Sequence, residues 1–328
     1  MRGTTPLGID IAKATFDVAL ASDRRLAQAT FANDATGYAA LERWLVKQGA
    51  GPVQACMEAT GRYGERLAEV LFEQGHTVSV VNPARIKKYA ESQLQRHKTD
   101  ARDALVILDF CRTQPLPLWR PLAEAQRQLQ EMVRYHDSLQ ELRQREANRL
   151  TSGIRSPEVI GPIQQHLAYL DRQIAALAAQ IQQQLDQNDS LDHKRALLST
   201  IPGIGRLTAA RLLAELPDIA TFTSAKQLAA YAGLTPSQHV SGSSIHRRPR
   251  LSKMGRSSLR KYLFMPALAA LRYNPVIKAL RQRLLARGKP RMLIVGAAMR
   301  KLLHIVYGVL KSGRPFDPTR AQIALQSP

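Results

Sequence analysis

Acidic residues are missing from most of the last third of this 328-residue chain: none lies between Asp218 and Asp317. From residue 191 onward there are 24 Lys and Arg against 4 Asp and Glu. Mg²⁺ takes oxygen ligands and a two-metal centre needs several carboxylates, so this region excludes such a centre on its own. Any metal ligands come from the first half. Cysteine is equally scarce: Cys56 and Cys111 are too few for a disulfide framework or a structural zinc site. No uninterrupted apolar run is long enough to cross a bilayer. The best candidate, YLFMPALAAL, is short and broken by Pro266. The N-terminal MRGTTPLGID has no signal-peptide core.

Positive charge is what the chain has in excess. Its 47 Lys and Arg outnumber 26 Asp and Glu, giving a net charge of +21. That points to a polyanion, most simply nucleic acid. Anionic membrane is the competing partner, but no long basic amphipathic helix opens the chain. The expectation is a cytoplasmic, bacterial, nucleoid-associated protein with no membrane partner.

Three regions follow from the patterning. In residues 1–120, PLGIDIA, TFDVALAS and LAQATFA read as successive strands. A helix (TGYAALERWLVKQG), a strand (VQACMEA), a helix (RYGERLAEVLFEQG), a strand (TVSVVNP) and two helices follow. Three strands and then alternation is the order of the ribonuclease-H-like α/β fold. Residues 121–190 turn helical. Ile163, Leu167, Leu170, Ile174, Leu177, Ile181 and Leu185 trace a coiled-coil seam. A break at SGIRSPEVIGP predicts an antiparallel helical hairpin, with dimerisation open. Residues 191–328 read as a mostly helical domain. There IPGIG before RLTAARLLAEL resembles a helix-hairpin-helix, in which Gly203 and Gly205 let backbone amides approach a phosphate. A tight turn between packed helices is the alternative.

Four carboxylates stand out in the first region. Alternation in LGIDIA sets Leu7, Ile9 and Ile11 on one face and Gly8, Asp10 and Ala12 on the other. A charge in the first strand is costly to bury without a partner. Glu58 ends the fourth strand, which in this fold neighbours the first. Asp100 and Asp103 in HKTDARDA lie one helical turn apart. Thr99 as N-cap and acids in a first turn would account for that pair as capping, at roughly 0.3–2 kcal/mol each. With Asp10 and Glu58 in matching places, the four instead compose a Mg²⁺ site for phosphodiester chemistry. The serine segment VSGSSIHRRPR is chemically suggestive too. Ser241, Ser243 and Ser244 precede Arg247, Arg248 and Arg250, cations suited to a developing phosphorane. By its residues alone it reads better as a polar loop without strong periodicity, binding backbone phosphates with its cations.

The motifs GIDIAK, MEATGRY, HKTDARDA, IPGIG, YAGLTP, SGSS, LSKMGRSSLR and GVLKSG, in this order and spacing, resemble the transposases of the IS one-ten (IS110) insertion-sequence family. The resemblance runs end to end. It implies a RuvC-like ribonuclease-H-fold domain over 1–120, a coiled-coil linker over 121–190 and a C-terminal transposase domain over 191–328. It implies that Asp10, Glu58, Asp100 and Asp103 are the family's acidic residues, holding Mg²⁺. It implies that Ser241 forms a 5′-phosphoserine with DNA, with Ser243 and Ser244 as neighbours that could compete. The expected nucleic-acid contacts are Gly203, Gly205, Arg247, Arg248, Arg250, Lys253 and Arg256. Partners would be donor and target double-stranded DNA, a guide (bridge) RNA that pairs with both, and further copies of the chain as a dimer or tetramer. A junction-resolving nuclease using metal-activated water is the rival enzyme, and a non-catalytic nucleic-acid scaffold the rival outside enzymology.

Overall fold

A computed structural model describes residues 4–22, 25–59, 61, 63–93, 100–116, 118–241 and 245–319, without the side chains of Ser22, Arg25, Asp100, Ala101 and 238–241 and 245–249. Thr99, Ser243 and Ser244 therefore lie outside the described residues. The chain divides into two compact units, Met1–Pro121 and Leu122–Pro328.

The first unit is built on β1 (Thr5–Ile11), β2 (Thr15–Ser22), β3 (Arg25–Ala32), α1 (Ala35–Lys47), β4 (Val53–Glu58), α2 (Glu65–Glu73), β5 (Thr77–Val81), α3 (Pro83–Ser92) and α4 (Asp100–Thr113). The five strands form one sheet in the order β3-β2-β1-β4-β5. The hairpin-linked β1, β2 and β3 pair antiparallel, while β4 and β5 join in parallel through helical crossovers. This is the mixed sheet expected from the element order, with β1 and β4 side by side. Alternation then sorts the faces. Leu7, Ile9, Phe16, Val18, Val53, Ala55 and Met57 pack with Leu41 and Leu45 of α1 and Leu67 and Leu71 of α2. The opposite face carries Gly8, Ala19 and Cys56 and is covered by α4 through Ala104, Ile107, Leu108 and Cys111.

The second unit begins with α5 (Glu124–Leu150) and α6 (Pro157–Asp186). They run antiparallel: Gln184 donates to Gln128 at 3.0 Å near one end, and Arg143 meets Asp171 at 2.7 Å further along. Ile163, Leu170, Ile181 and Leu185 of the seam are buried. Leu129, Val133, Ile181 and Leu185 share one core with the helices that follow. The break between the two helices is shorter than expected, because α6 starts at Pro157 and contains Pro162. Proline is well placed at a first helical position, and Pro162, early in the helix, removes a single backbone bond.

Next come α7 (Asp189–Ser199), α8 (Arg206–Glu215), a 3-10 turn (Ile219–Thr221), α9 (Ala225–Tyr231), β6 (Pro236–Ser241), β7 (Ile245–Leu251), α10 (Ser257–Tyr273), α11 (Pro275–Ala286) and α12 (Arg291–Ser312). Gln126 and Gln130 of α5 donate to the carbonyls of Leu213, Leu216 and Ala214, satisfying the open end of α8. One expectation is corrected. The segment from Thr235 is not an irregular loop: β6 and β7 form an antiparallel hairpin, with Ser241 opposite Ile245. Its ladder is made by backbone groups, so polar sequence with no apolar period conceals it. Arg248 and Pro249 face Gln238 across a register shift, which is where a strand tolerates a proline that cannot donate. Among the described residues one helix, α12, could by length and composition cross a membrane. Arg300 and Lys301 interrupt it, and 56 % of its apolar window is buried in the core.

Candidate functional site

Asp10 sits on β1 in register with Asp17 of β2, and Glu58 follows Met57, the partner of Ile9, on β4. Alternation puts Asp10, Asp17 and Glu58 on the face that carries Gly8 and Cys56, the face under α4. The direction of α4 follows from its packing. A Cβ on Gly8 would lie 2.3 Å from the Leu108 nitrogen and 2.4 Å from the Ala104 carbonyl oxygen, so only glycine admits the helix there. The Cys111 thiol donates to the Gln54 carbonyl at 3.6 Å, toward the start of β4. The helix therefore runs antiparallel to β1, with its N-terminal turn toward the strand ends that hold Asp10 and Glu58. Asp10 is roughly 7 Å beyond Gly8 along the strand. Asp103 and Asp100 come roughly 4 and 9 Å before the stretch of α4 that covers Gly8. The level of Asp10 falls between them.

Asp10, Glu58 and Asp103 are half-buried, and Asp100 is described only by its backbone at the start of α4. Among the described residues no group of three His, Cys, Asp or Glu stands close enough to hold a metal ion. The donor set nonetheless suits a hard divalent cation, being all carboxylate. Directly opposed like charges such as Asp10 and Asp17 are unfavourable on a sheet, and a cation would offset that. Asp17, which accepts from Thr30 Oγ1 at 2.5 Å, escaped the sequence reading. An acid on the same face of both hairpin strands was the available signal.

In the second unit Ser241 is the last residue of β6. Arg247 and Arg248 belong to the β7 ladder, Arg250 is exposed opposite Ser237, and Lys253 follows β7 with a left-handed φ of 55°. Arg256, expected to contact nucleic acid, holds a buried carboxylate: its Nε is 3.2 Å from Glu215, which also accepts from Arg134 at 2.9 Å and Ser258 at 2.9 Å. Gly203 has φ +106°, and a Cβ there would meet the Pro266 carbonyl of α10 at 2.9 Å, so it serves close helix packing. Gly205 caps α8 and has open space around its Cα.

Glu215 and Asp137 are the acids that sequence reading did not single out. They flank a charged cleft of about 470 Å³ between α5 and the start of α10. Burial alone would raise the Asp137 carboxyl. The adjacent His136, the charge of Arg211, and Tyr262 and Lys261 beside it instead hold it far below the carboxylate range. Arg211 approaches it at 2.7 Å and Lys261 at 3.2 Å. Both acids are thus committed to ion pairs. Their distance in sequence from the Arg-rich segment hid them.

Two family models match the chain, the first running past the boundary of the first unit and through α5. Residues 7–156 match the model DEDD_Tnp_IS110, described as a transposase, and residues 195–282 match the model described as "Transposase IS116/IS110/IS902 family". The chain is 36 % identical over 316 residues to the pilin gene-inverting protein of Moraxella bovis, covering 95 % of this chain and 98 % of that one. It is 30 % identical over 159 residues to an uncharacterized 43.6 kDa protein of insertion element IS110 from Streptomyces coelicolor, covering 48 % and 38 %. It is 25 % identical over 225 residues to the transposase of insertion sequence element IS1328 from Yersinia enterocolitica, covering 60 % and 65 %. The DEDD domain implies a ribonuclease-H-like fold, consistent with the sheet order, and suggests use of a divalent metal.

Proposed function

The chain belongs to the IS110 family of transposases, enzymes that cleave and rejoin DNA, and we propose that it does so through a phosphoserine at Ser241, with Mg²⁺ at Asp10, Glu58, Asp100 and Asp103 and a guide RNA selecting the DNA. The observation that carries this reading is the register of β1 and β4, which sets Asp10 and Glu58 on neighbouring strand ends under the helix that bears Asp100 and Asp103. Mg²⁺ bound there would neutralise charge on the scissile phosphate.

The chain's own groups account for the remaining steps. Ser241 Oγ attacks phosphorus, the bond to the 3′ oxygen breaks, and a 5′-phosphoserine and a free 3′ hydroxyl result. A 3′ hydroxyl from the other strand then attacks the phosphoserine and releases the serine. One phosphodiester is made for each one broken, so rejoining requires no energy source. Water in place of serine would leave a 5′ phosphate that cannot rejoin unaided. Inversion of a gene, the activity in the name of the Moraxella protein, needs rejoined ends and favours the serine route over the nuclease. The Ser241 proton needs an acceptor. Glu215 and Asp137 are tied to cations. We assign the acceptor to one of the N-terminal carboxylates, contributed by another copy in an assembled dimer or tetramer acting on bacterial DNA. The cations of β7 and the segment after it, with Gly205, contact the backbone.

Recombination of a plasmid carrying two target sites, followed by sequencing of junctions and of copurified RNA, tests this reading. Seamless junctions and one structured RNA complementary to both sites are expected. Unjoined ends would select the nuclease.

A further inference from the structure

Four cations from three helices come together around His304 in the second unit. His304 on α12 faces Arg300 and Lys301 of its own helix and Lys226 of α9, and Arg283 of α11 faces Lys301. Arg300, Lys301 and His304 recur at the spacing that shares one helical face. The Tyr307 hydroxyl, one turn on, donates to the Phe222 carbonyl at 3.1 Å and ties α12 to the chain entering α9. None of these four cations has a carboxylate within ion-pair distance among the described residues, whereas the buried acids of this unit go to Arg134, Arg211, Arg256 and Lys261.

This arrangement is costly when empty. Burial and then the Arg283 charge lower the Lys301 ammonium from its ordinary value. Burial, Arg300, Lys301 and Lys226 hold the His304 imidazole down to about 4. Its Nε2 is buried with no hydrogen-bond partner. A packing role would favour aliphatic side chains at Arg300 and Lys301, and a purely solvated role would leave those two exposed. Arg300 and Lys301 are half-buried and Lys226 and Arg283 exposed, and such a group without counter-ions among the described residues matches a partner that brings several closely spaced negative charges.

We propose that Lys226, Arg283, Arg300 and Lys301, grouped around the half-buried His304, form a binding surface for a phosphodiester backbone, separate from the β6–β7 segment. The inference deepens the reading of this chain as a DNA recombinase by adding a positioning contact. It concerns affinity, so its failure would leave the serine chemistry intact. DNA and guide RNA share the chemistry, and the experiment separates them.

The full chain is compared with a Lys226→Gln, Arg300→Gln, Lys301→Met variant by anisotropy, using labelled duplex DNA and labelled single-stranded RNA over a salt series. The log–log slope should shrink by about 0.9 per lost phosphate contact on duplex, or about 0.7 on a single strand. A loss on the duplex arm assigns the surface to DNA and a loss on the RNA arm to the guide. The melting temperature should hold or rise, because like charges have been removed. The single variant Lys226→Gln, at an exposed position, should shift the slope in the same direction and keeps the test open if the triple variant misfolds. Unchanged slopes on both arms would overturn the proposal. So would an equal loss from Arg145→Gln, Arg155→Gln, Arg172→Gln, which removes three exposed cations elsewhere in the unit.

Discussion

The α-carbon of Gly8 lies so near Ala104 that an added Cβ would stand 2.4 Å from the Ala104 carbonyl oxygen. This contact fixes how closely α4, and with it Asp103, lies against β1. Gly8→Ala should lift the helix at an overpacking cost of about 1–3 kcal/mol. Strand exchange should fall about 100-fold while the chain remains folded, since that is the cost of a displacement near 1 Å at a reacting centre. Urea denaturation and a recombination assay on the same preparation check this. Wild-type activity with a shifted melt would separate α4 from the reaction.

Asp10→Asn, Glu58→Gln and Asp103→Asn should each abolish strand exchange with the fold retained. Mg²⁺ should raise the melting temperature of the wild type, because a ligand that binds only the native state stabilises it. The same addition should do little for the variants. Equal Mg²⁺-dependent shifts in all four proteins would place the metal elsewhere.

Glu215→Gln should destabilise the second unit. It leaves Arg134 and Arg256 without their shared carboxylate, whose side chain is 1 % exposed. Loss of one partner of a buried pair costs about 3–5 kcal/mol, and the partly exposed arginines put this case at the lower end. Urea unfolding of the full chain measures it. A change under 1 kcal/mol would mean that the pair adds nothing to the join between β7 and α10.

Much of this molecule was legible because burial leaves periodic traces. Alternation in PLGIDIA and TFDVALAS marked both strands and sorted Asp10 from Ile9 and Ile11. The seam from Ile163 to Leu185 marked a helix in which Ile163, Leu170, Ile181 and Leu185 are buried. The β6–β7 hairpin left no such trace, since backbone pairing forms it. The roles of Arg256 and Gly203 were equally hidden. They depend on Glu215 and Pro266, residues remote in sequence that folding alone brings close. Asp17 became visible as a neighbour of Asp10 only once the register was fixed.

His304 gives a pH dependence of defined sign. Its folded value is about 4 against an ordinary 6.5. The unfolded chain therefore binds the proton first as pH falls, and this contribution to stability is present above 6.5 and lost between 6.5 and 4. Melting of the wild type and His304→Phe across that window should differ in slope, with the variant flatter. Parallel curves would remove His304 from the account.

The central claim is that Ser241 becomes bonded to DNA with help from the N-terminal carboxylates, and trapping that bond tests it most directly. Nicked suicide substrates incubated with the full chain and Mg²⁺, then denatured and digested, should yield a Ser241-containing peptide carrying a 5′-linked nucleotide in mass spectrometry. The adduct should vanish with Ser241→Ala, with Asp10→Asn and without Mg²⁺, and persist at least in part with Ser243→Ala and Ser244→Ala. Efficient strand exchange by Ser241→Ala, with no adduct, would contradict the account and assign the attack to water.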